Sequence, residues 1–135
     1  MNALIARLAA QPVNNALLSV TARALMALIF ILAGVSKVTG YDGTAGYMAS
    51  MGVPAALLPL VIAVELGGGL ALLAGFQTRL VAGVLAGFCV ISGLIFHSGA
   101  DQMQQILLMK NLAMAGGLLA FVRTGAGAAS LDADR

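Results

Sequence analysis

The sequence predicts an all-α integral membrane protein, a four-transmembrane-helix bundle with a short interfacial helix in its first outer loop. Composition gives two reasons, because 61% of the 135 residues are hydrophobic and only 9% are charged. Soluble domains carry about 25% charged residues, and a soluble chain of this length could not bury so much apolar surface. The third reason is that the apolar residues fall into four runs, each near the roughly 20 residues that a membrane-crossing helix needs.

Four predicted spans are separated by recognisable breaks within one membrane domain, residues 1–135. The spans cover residues 17–38, 55–76, 80–97 and 105–122. The first break, VTGYDGTAGYMASMGVP, contains glycines and Pro54, and its TAGYMASM segment predicts the interfacial helix. FQTR predicts a tight turn, so that spans two and three form an antiparallel hairpin, and HSGADQMQ joins spans three and four. The tail GAGAASLDADR is predicted to be disordered.

The basic residues predict the orientation of the bundle. Four spans place both termini and the FQTR turn on one side of the membrane. That side holds most of the arginines, namely Arg7, Arg79, Arg123 and Arg135, with Arg23 near it. The positive-inside rule therefore predicts that both termini are cytoplasmic.

Residue counts exclude several kinds of chemistry. The single cysteine, Cys89, excludes an intrachain disulfide and a CxxC redox motif. One histidine cannot supply two-His haem ligation, and no metal site or Ser-His-Asp arrangement is recognisable. Scattered basic residues do not predict a nucleic-acid partner.

The glycines of the second span predict close helix packing. Helices in lipid associate through small residues rather than through apolar burial. Gly67, Ala71 and Gly75 recur at four-residue spacing, and Gly68 and Gly69 lie in the same segment. A phosphate-binding glycine loop would need a preceding strand, so we interpret Gly67, Gly68, Gly69 and Gly75 as packing residues.

Glu65, near the middle of the second span, is the acid for which the sequence must provide a partner. Charges at membrane depth usually face the bundle interior. Arg23 is expected about 7 Å toward the cytoplasmic side of the midplane and Lys110 about 5 Å toward the outer side. Lys37 lies nearly four turns beyond Arg23 on the same helical stripe and is expected near the outer surface.

Two interpretations of these polar residues stay open. The first is an ion-pair network that only fixes how the helices dock. The second is a polar pocket in the outer half of the bundle that binds a small polar head group or relays protons. The candidate catalytic residues are Glu65 and His97, and the candidate ligand-binding residues are Arg23, Lys37, Lys110 and Asn111.

Several motifs in order resemble one family. They are ARALMALIFILAGVSKVTGY, MGVP, AVELGGGLALLAGFQTR, IFHSGADQ and MKNLAMAGGLLAF, followed by a GxG tail and SLD. Over about residues 19–132 the chain is similar to the DoxX family of small, multi-pass bacterial inner-membrane proteins. The resemblance implies a four-helix bundle whose polar motif falls on Arg23, Gly34, Lys37, Glu65, Gly68, Gly69, Arg79, Lys110 and Asn111.

The resemblance also implies a function, since the family takes its name from a subunit of a quinol oxidase or thiosulfate:quinone oxidoreductase. We expect a quinone- or quinol-linked subunit in which Glu65 and Lys110 flank the head group and His97 passes protons outward. Electrons would come from a redox-enzyme partner, because no intrinsic haem or metal is predicted. The alternative is a non-catalytic assembly partner or small-solute carrier. Whether the chain is an enzyme, and whether it forms a homo-oligomer among the membrane lipids, is left open.

Overall fold

The computed structural model describes residues 1–133, and its elements are helices joined by short turns. The elements are an N-terminal helix (Asn2–Ala10), the first span (Pro12–Thr39), a loop helix (Tyr41–Ser50), the second span (Ala55–Ala74), the third span (Thr78–Phe96) and the fourth span (Gln102–Thr124). Over these residues, four helices are long and apolar enough to cross a membrane. The predicted all-α membrane fold is confirmed. The loop helix lies where the interfacial helix was predicted, and its position at the membrane interface stays a prediction.

The second span changes its helical form along its length. A 3₁₀ turn (Ala55–Leu57) and a short α-helical piece (Leu58–Ile62) lead into a π-helical turn (Ala63–Gly67), after which the α-helix resumes. π-Helical turns inside α-helices are often found at functional sites. Glu65 lies in the middle of this turn.

Close contacts between the first two spans fix their antiparallel register. A Cβ added to Gly34 would lie within 3.0 Å of the Leu66 backbone, and one added to Gly69 would lie 2.9 Å from Ile31. Gly68 approaches the third span in the same way, since its Cβ would lie 3.0 Å from Leu85. Gly67 meets nothing within 4 Å among the described residues. The second span therefore packs through Gly68 and Gly69, and the predicted ridge is incomplete at Gly67.

The core of the bundle is built from small and aliphatic side chains where the spans meet. Its buried members are Ala27, Phe30, Leu72, Ala82, Leu85, Ala86, Cys89, Ala115 and Leu118. Third and fourth spans approach closely at Gly93, whose added Cβ would lie 3.1 Å from Cβ of Asn111. Large apolar side chains such as Leu25, Ile91 and Met109 are exposed, as expected of helices that face lipid.

The C-terminal tail is ordered, so the prediction of a disordered tail is wrong over residues 125–133; Asp134 and Arg135 lie outside the described residues. The backbone N–H groups of Leu131 and Asp132 donate to the carbonyls of Ala74 and Gly75, at 3.2 and 2.9 Å. These bonds lay the tail across the turn between the second and third spans. We call this turn and residues 125–133 the tail end of the bundle, and the loop helix with residues 97–101 the loop end.

The Asp132 carboxylate explains why the tail holds this position. Its two oxygens accept hydrogen bonds from the backbone N–H groups of Gln77 and Thr78, each at 2.8 Å. The third span begins at Thr78, where free N–H groups and the helix dipole favour a negative charge. A carboxylate more than fifty residues away therefore caps this helix.

Candidate functional site

An ion pair between Lys37 and Glu65 lies at the centre of the candidate site. Lys37 Nζ is 2.8 Å from Glu65 Oε2, and the exposed fractions of the two side chains are 26% and 8%. Oε2 is buried, and neither Lys37 nor any other described residue donates a hydrogen bond of good geometry to it. The carboxylate is therefore charge-paired but retains hydrogen-bonding capacity. The sequence did not determine which basic residue pairs with Glu65, and the structure shows that it is Lys37.

The register of the first span explains why Lys37, and not Arg23 or Lys110, reaches Glu65. Gly75, in the turn after the second span, faces Arg23, so the residues of the first span before Arg23 extend beyond this turn, beside the tail at Ser19 and Gly127. Counting from that level at 1.5 Å per residue, Lys37 lies only about 6 Å farther along the bundle than Glu65. A lysine side chain spans such a distance easily, so Lys37 reaches the Glu65 carboxylate.

Glu65 is positioned by the close contact beside it. Gly34 packs directly against the backbone of Leu66, the residue that follows Glu65. Because Gly34 has no side chain, the first span comes near enough for Lys37, one turn farther on, to reach the carboxylate. The π-helical turn and the glycine contact together set the geometry of the ion pair.

Asn111 lies buried between the third and fourth spans, close to this region. Its Nδ2 donates to the Cys89 carbonyl at 3.0 Å and to Ser92 Oγ at 3.3 Å, which ties the two helices together. Lys110 is exposed, and both Lys110 and Glu65 are near enough to Cys89 to act on its thiol electrostatically. Of the three polar residues, Asn111 contacts Cys89 directly, while Glu65 and Lys110 lie within electrostatic range of it.

His97 marks the loop end of the third span. Its Nδ1 is 2.9 Å from Oε1 of Gln104 on the fourth span, and the neighbouring Phe96 ring contacts Tyr47 of the loop helix at 5.7 Å between centroids. The His97–Gln104 contact connects the third span to the fourth, and the Phe96–Tyr47 contact connects the third span to the loop helix. No direct bond joins the His97 ring to Glu65 within residues 1–133.

Arg23 lies at the tail end and not beside Glu65. The side chain is 2% exposed, Nη1 donates to the Leu73 carbonyl at 2.7 Å, and Nη2 donates to the Ala129 carbonyl. Asp132 attracts the guanidinium from the tail. Arg23 therefore binds the end of the second span to the tail, which is a structural task.

Arg79 and Asp132 are residues of the tail end whose roles sequence reasoning missed. Arg79 Nη1 donates to the carbonyls of Val122 and Arg123 at 2.7 and 2.5 Å, where the last turn of the fourth span has free acceptors. Arginine often bonds the last carbonyls of its own helix, but Arg79 belongs to the third span and bonds the last carbonyls of the fourth. Within the part of the chain that the structure describes, no group of three or more His, Cys, Asp or Glu residues could hold a metal ion.

Comparison with known proteins places these features in a family. The DoxX family profile matches residues 18–98. The chain is similar to the inner membrane protein YqjF of Escherichia coli (strain K12), with 51% identity over 112 residues that cover 82% of this chain and 86% of YqjF. It is also similar to the inner membrane protein YphA of the same strain, with 37% identity over 132 residues, covering 92% of this chain and 91% of YphA.

A third relative carries a functional name. The protein named "Putative oxidoreductase CatD" of Bacillus subtilis (strain 168) is 36% identical over 99 residues, which cover 69% of this chain and 73% of CatD. No solved structure matches the chain. The four spans and the inner-membrane relatives indicate a multi-pass inner-membrane protein. The chain belongs to the DoxX family, because the family profile matches more than half of its length and because YqjF and YphA are similar to most of it.

Proposed function

We propose that this DoxX-family protein is a quinone- or quinol-linked subunit of a membrane oxidoreductase, with the quinone head group bound at the Lys37–Glu65 pair. The observation that carries the proposal is the state of the Glu65 carboxylate. It is buried at membrane depth, and its Oε2 lies 2.8 Å from Lys37 Nζ without accepting a hydrogen bond of good geometry from any of residues 1–133. Intramembrane ionisable residues commonly mark ligand or proton pathways.

The chemistry of these groups fits a quinone head group. A quinone presents two carbonyl oxygens, and on reduction it takes up two electrons and two protons. The Lys37 ammonium is a donor for one carbonyl oxygen, and its 26% exposure leaves it reachable. The Glu65 carboxylate is a candidate proton carrier for the other oxygen, since it can accept a proton and pass it on.

Proton supply from the outside is assigned to the loop end. Histidine is a common proton-shuttling side chain, and a hydrogen bond to Gln104 fixes the orientation of the His97 ring. In the proposal, His97 exchanges protons with the outer surface, and Asn111 and Lys110 line the path from it toward Glu65. Lys37 takes the place beside Glu65 that the sequence led us to expect for Lys110.

Electrons enter from a partner subunit in this proposal. The name of the CatD relative supports a redox role, since it refers to an oxidoreductase. The protein supplies the membrane-embedded binding site, and the partner supplies the redox centre.

The experiment combines quinone content with electron transfer. The full-length chain is purified in mild detergent, and extracted quinone is measured by mass spectrometry alongside quinone-coupled electron transfer in membranes. Glu65→Gln keeps the shape of the side chain but can carry neither the charge nor an exchangeable acid proton, and we expect it to lose both bound quinone and electron transfer. Asp42→Asn is the matched control, because Asp42 is an exposed acid on the loop helix. Wild-type protein without quinone, combined with unchanged electron transfer in Glu65→Gln, would sink the proposal.

A non-catalytic assembly partner is the second candidate, and the tail end favours it. Arg23 shows that this chain already uses one buried charge purely to hold its parts together. The Lys37–Glu65 pair would then serve the same purpose. In that case Glu65→Gln would lower the stability of the bundle and leave quinone content at background in wild type and variant alike.

A further inference from the structure

We propose that the tail end binds one membrane phospholipid, with its phosphate on Arg79 and one acyl chain in an apolar groove between the second and third spans. The site uses neither Lys37 nor Glu65, so it stands apart from the proposed quinone function. It is built from two adjoining depressions, a polar cleft and an apolar groove, that share one wall.

The polar cleft lies between the start of the third span and the end of the fourth. It has a volume of about 330 Å³ and is lined by residues 77–80, residues 124–127 and Asp132. The basic residues predict that this end faces the cytoplasm. The lining has one basic residue, Arg79, and one acidic residue, Asp132, and basic residues in pockets between transmembrane helices on that side bind phospholipid head groups.

Arg79 provides the phosphate contact in this cleft. Its Nη1 is held by the carbonyls of Val122 and Arg123, which fixes the plane of the guanidinium. Nε and Nη2 lie against Gly125 in the cleft wall and donate no hydrogen bond to any described residue. Two parallel N–H donors in a fixed plane match two oxygens of a phosphate.

Thr78 is a second, independent indication of a polar ligand. It lines the same cleft, is 1% exposed, and its Oγ1 has no hydrogen-bond partner within residues 1–133. A buried hydroxyl without a partner destabilises the fold by about 1–3 kcal/mol. A head-group oxygen in the cleft would remove that cost.

Asp132 limits the charge of the ligand. Its carboxylate lines the cleft while it caps the third span. A second negative charge close by is repelled by it. A phosphodiester with one negative charge therefore fits this cleft better than a free phosphate ion with two.

The apolar groove provides the place for an acyl chain. It has a volume of about 210 Å³ and is lined only by Val64, Gly68, Leu80, Val81, Val84 and Leu85. Leu80 also lines the polar cleft, so the two depressions adjoin at this residue. A phosphate beside an aliphatic groove inside the hydrocarbon layer matches a phospholipid, whereas a soluble anion would leave the groove empty.

The test measures binding of dioleoyl phosphatidylglycerol to the delipidated full-length protein by native mass spectrometry. Wild type is expected to bind one lipid before non-specific binding begins. Arg79→Gln removes the charged donors and is expected to weaken this binding about tenfold, since a charge-assisted hydrogen bond contributes about 1.5–3 kcal/mol. Arg123→Gln is the matched control, because it removes a charge at the same end from a side chain outside the cleft, and its affinity should equal that of wild type.

A second pair of variants tests the groove without touching Arg79. Val84→Phe fills the groove, and we expect it to weaken binding about two- to fivefold, because chain contacts there only replace contacts with other lipid. Ile91→Phe is its control, since Ile91 is a 61% exposed residue of the same helix outside the groove. Arg79→Lys keeps one donor for the fourth-span carbonyls, so its binding loss is measured even where Arg79→Gln does not fold.

Three results would overturn the inference. Equal lipid affinity in wild type and both Arg79 variants would mean that the phosphate is not bound there. An unchanged affinity in Val84→Phe would remove the acyl chain from the groove. Complete displacement of the lipid by excess inorganic phosphate would identify the cleft as a site for a free anion.

Discussion

Arg23 and Glu65 are both buried charges in membrane-spanning helices, and they are treated in opposite ways. The Arg23 guanidinium donates to two carbonyls and has a carboxylate nearby. The Glu65 carboxylate has one partly exposed lysine beside it and accepts no hydrogen bond at Oε2 from the described part of the chain. Arg23 also joins two segments distant in sequence, whereas the Lys37–Glu65 pair only joins helices that already pack through glycine.

The difference indicates that the Arg23 charge serves the structure, whereas the Glu65 charge is available to bind a ligand. Removing one partner from a well-bonded buried charge is strongly destabilising, because backbone acceptors are left without donors. Replacing both members of a buried ion pair by neutral residues of similar size is often almost without effect. The tail end should therefore carry more of the stability, and the Lys37–Glu65 pair more of the function.

Arg23→Leu should have the largest effect on stability. It removes the two Arg23 hydrogen bonds, one to the second span and one to the tail, and leaves two carbonyls without this donor, so we expect a loss of about 3 kcal/mol in the free energy of unfolding. Unfolding in mixed detergent micelles, followed by far-UV circular dichroism, measures this loss, since the chain has no Trp. Arg23→Lys should recover part of the lost stability. An Arg23→Leu protein as stable as wild type would show that the Arg23 hydrogen bonds to the second span and the tail do not stabilise the fold.

Gly34→Ala should have the next largest effect. The added Cβ would lie 2.7–3.0 Å from atoms of Leu66, and such overpacking destabilises by about 1–3 kcal/mol. It would also move Lys37 away from Glu65. Gly67→Ala is the control, because the described residues leave open space there; equal losses in the two variants would contradict the register described above.

Asp132→Asn should have a smaller effect. An amide oxygen keeps one of the two bonds to the start of the third span but loses the charge, so we expect about 1 kcal/mol. The same unfolding experiment measures it. Asp42→Asn is the control, since Asp42 is an exposed acid in the first turn of the loop helix, and an equal or greater loss for Asp42→Asn would argue against the cap.

The sequence was sufficient for features that depend on local composition. The four spans follow from apolar runs of the length that crosses a membrane, and Glu65 was identified as a candidate because a charge stands out in such a run. The partner of Glu65 was not predictable, because heights counted along each helix assume that the spans start level. The first span starts well beyond the tail end, and that offset moves Lys37 inward to Glu65.

The tail shows the other limit of local reasoning. Residues 125–133 are small and polar, which is typical of a disordered terminus. Their order depends on Arg23, on the carbonyls after the second span, and on the N–H groups of Gln77 and Thr78. These partners lie more than fifty residues away in sequence, so no local pattern indicates them.

The most direct test of this contrast is the unfolding free energy of the double variant Lys37→Met, Glu65→Gln, measured beside Arg23→Leu. The double variant removes both charges and keeps the approximate size of both side chains. We predict that it unfolds within about 1 kcal/mol of wild type, while Arg23→Leu loses about 3 kcal/mol. A double variant destabilised as much as Arg23→Leu would show that the Lys37–Glu65 pair is itself a structural clasp, and would contradict the account.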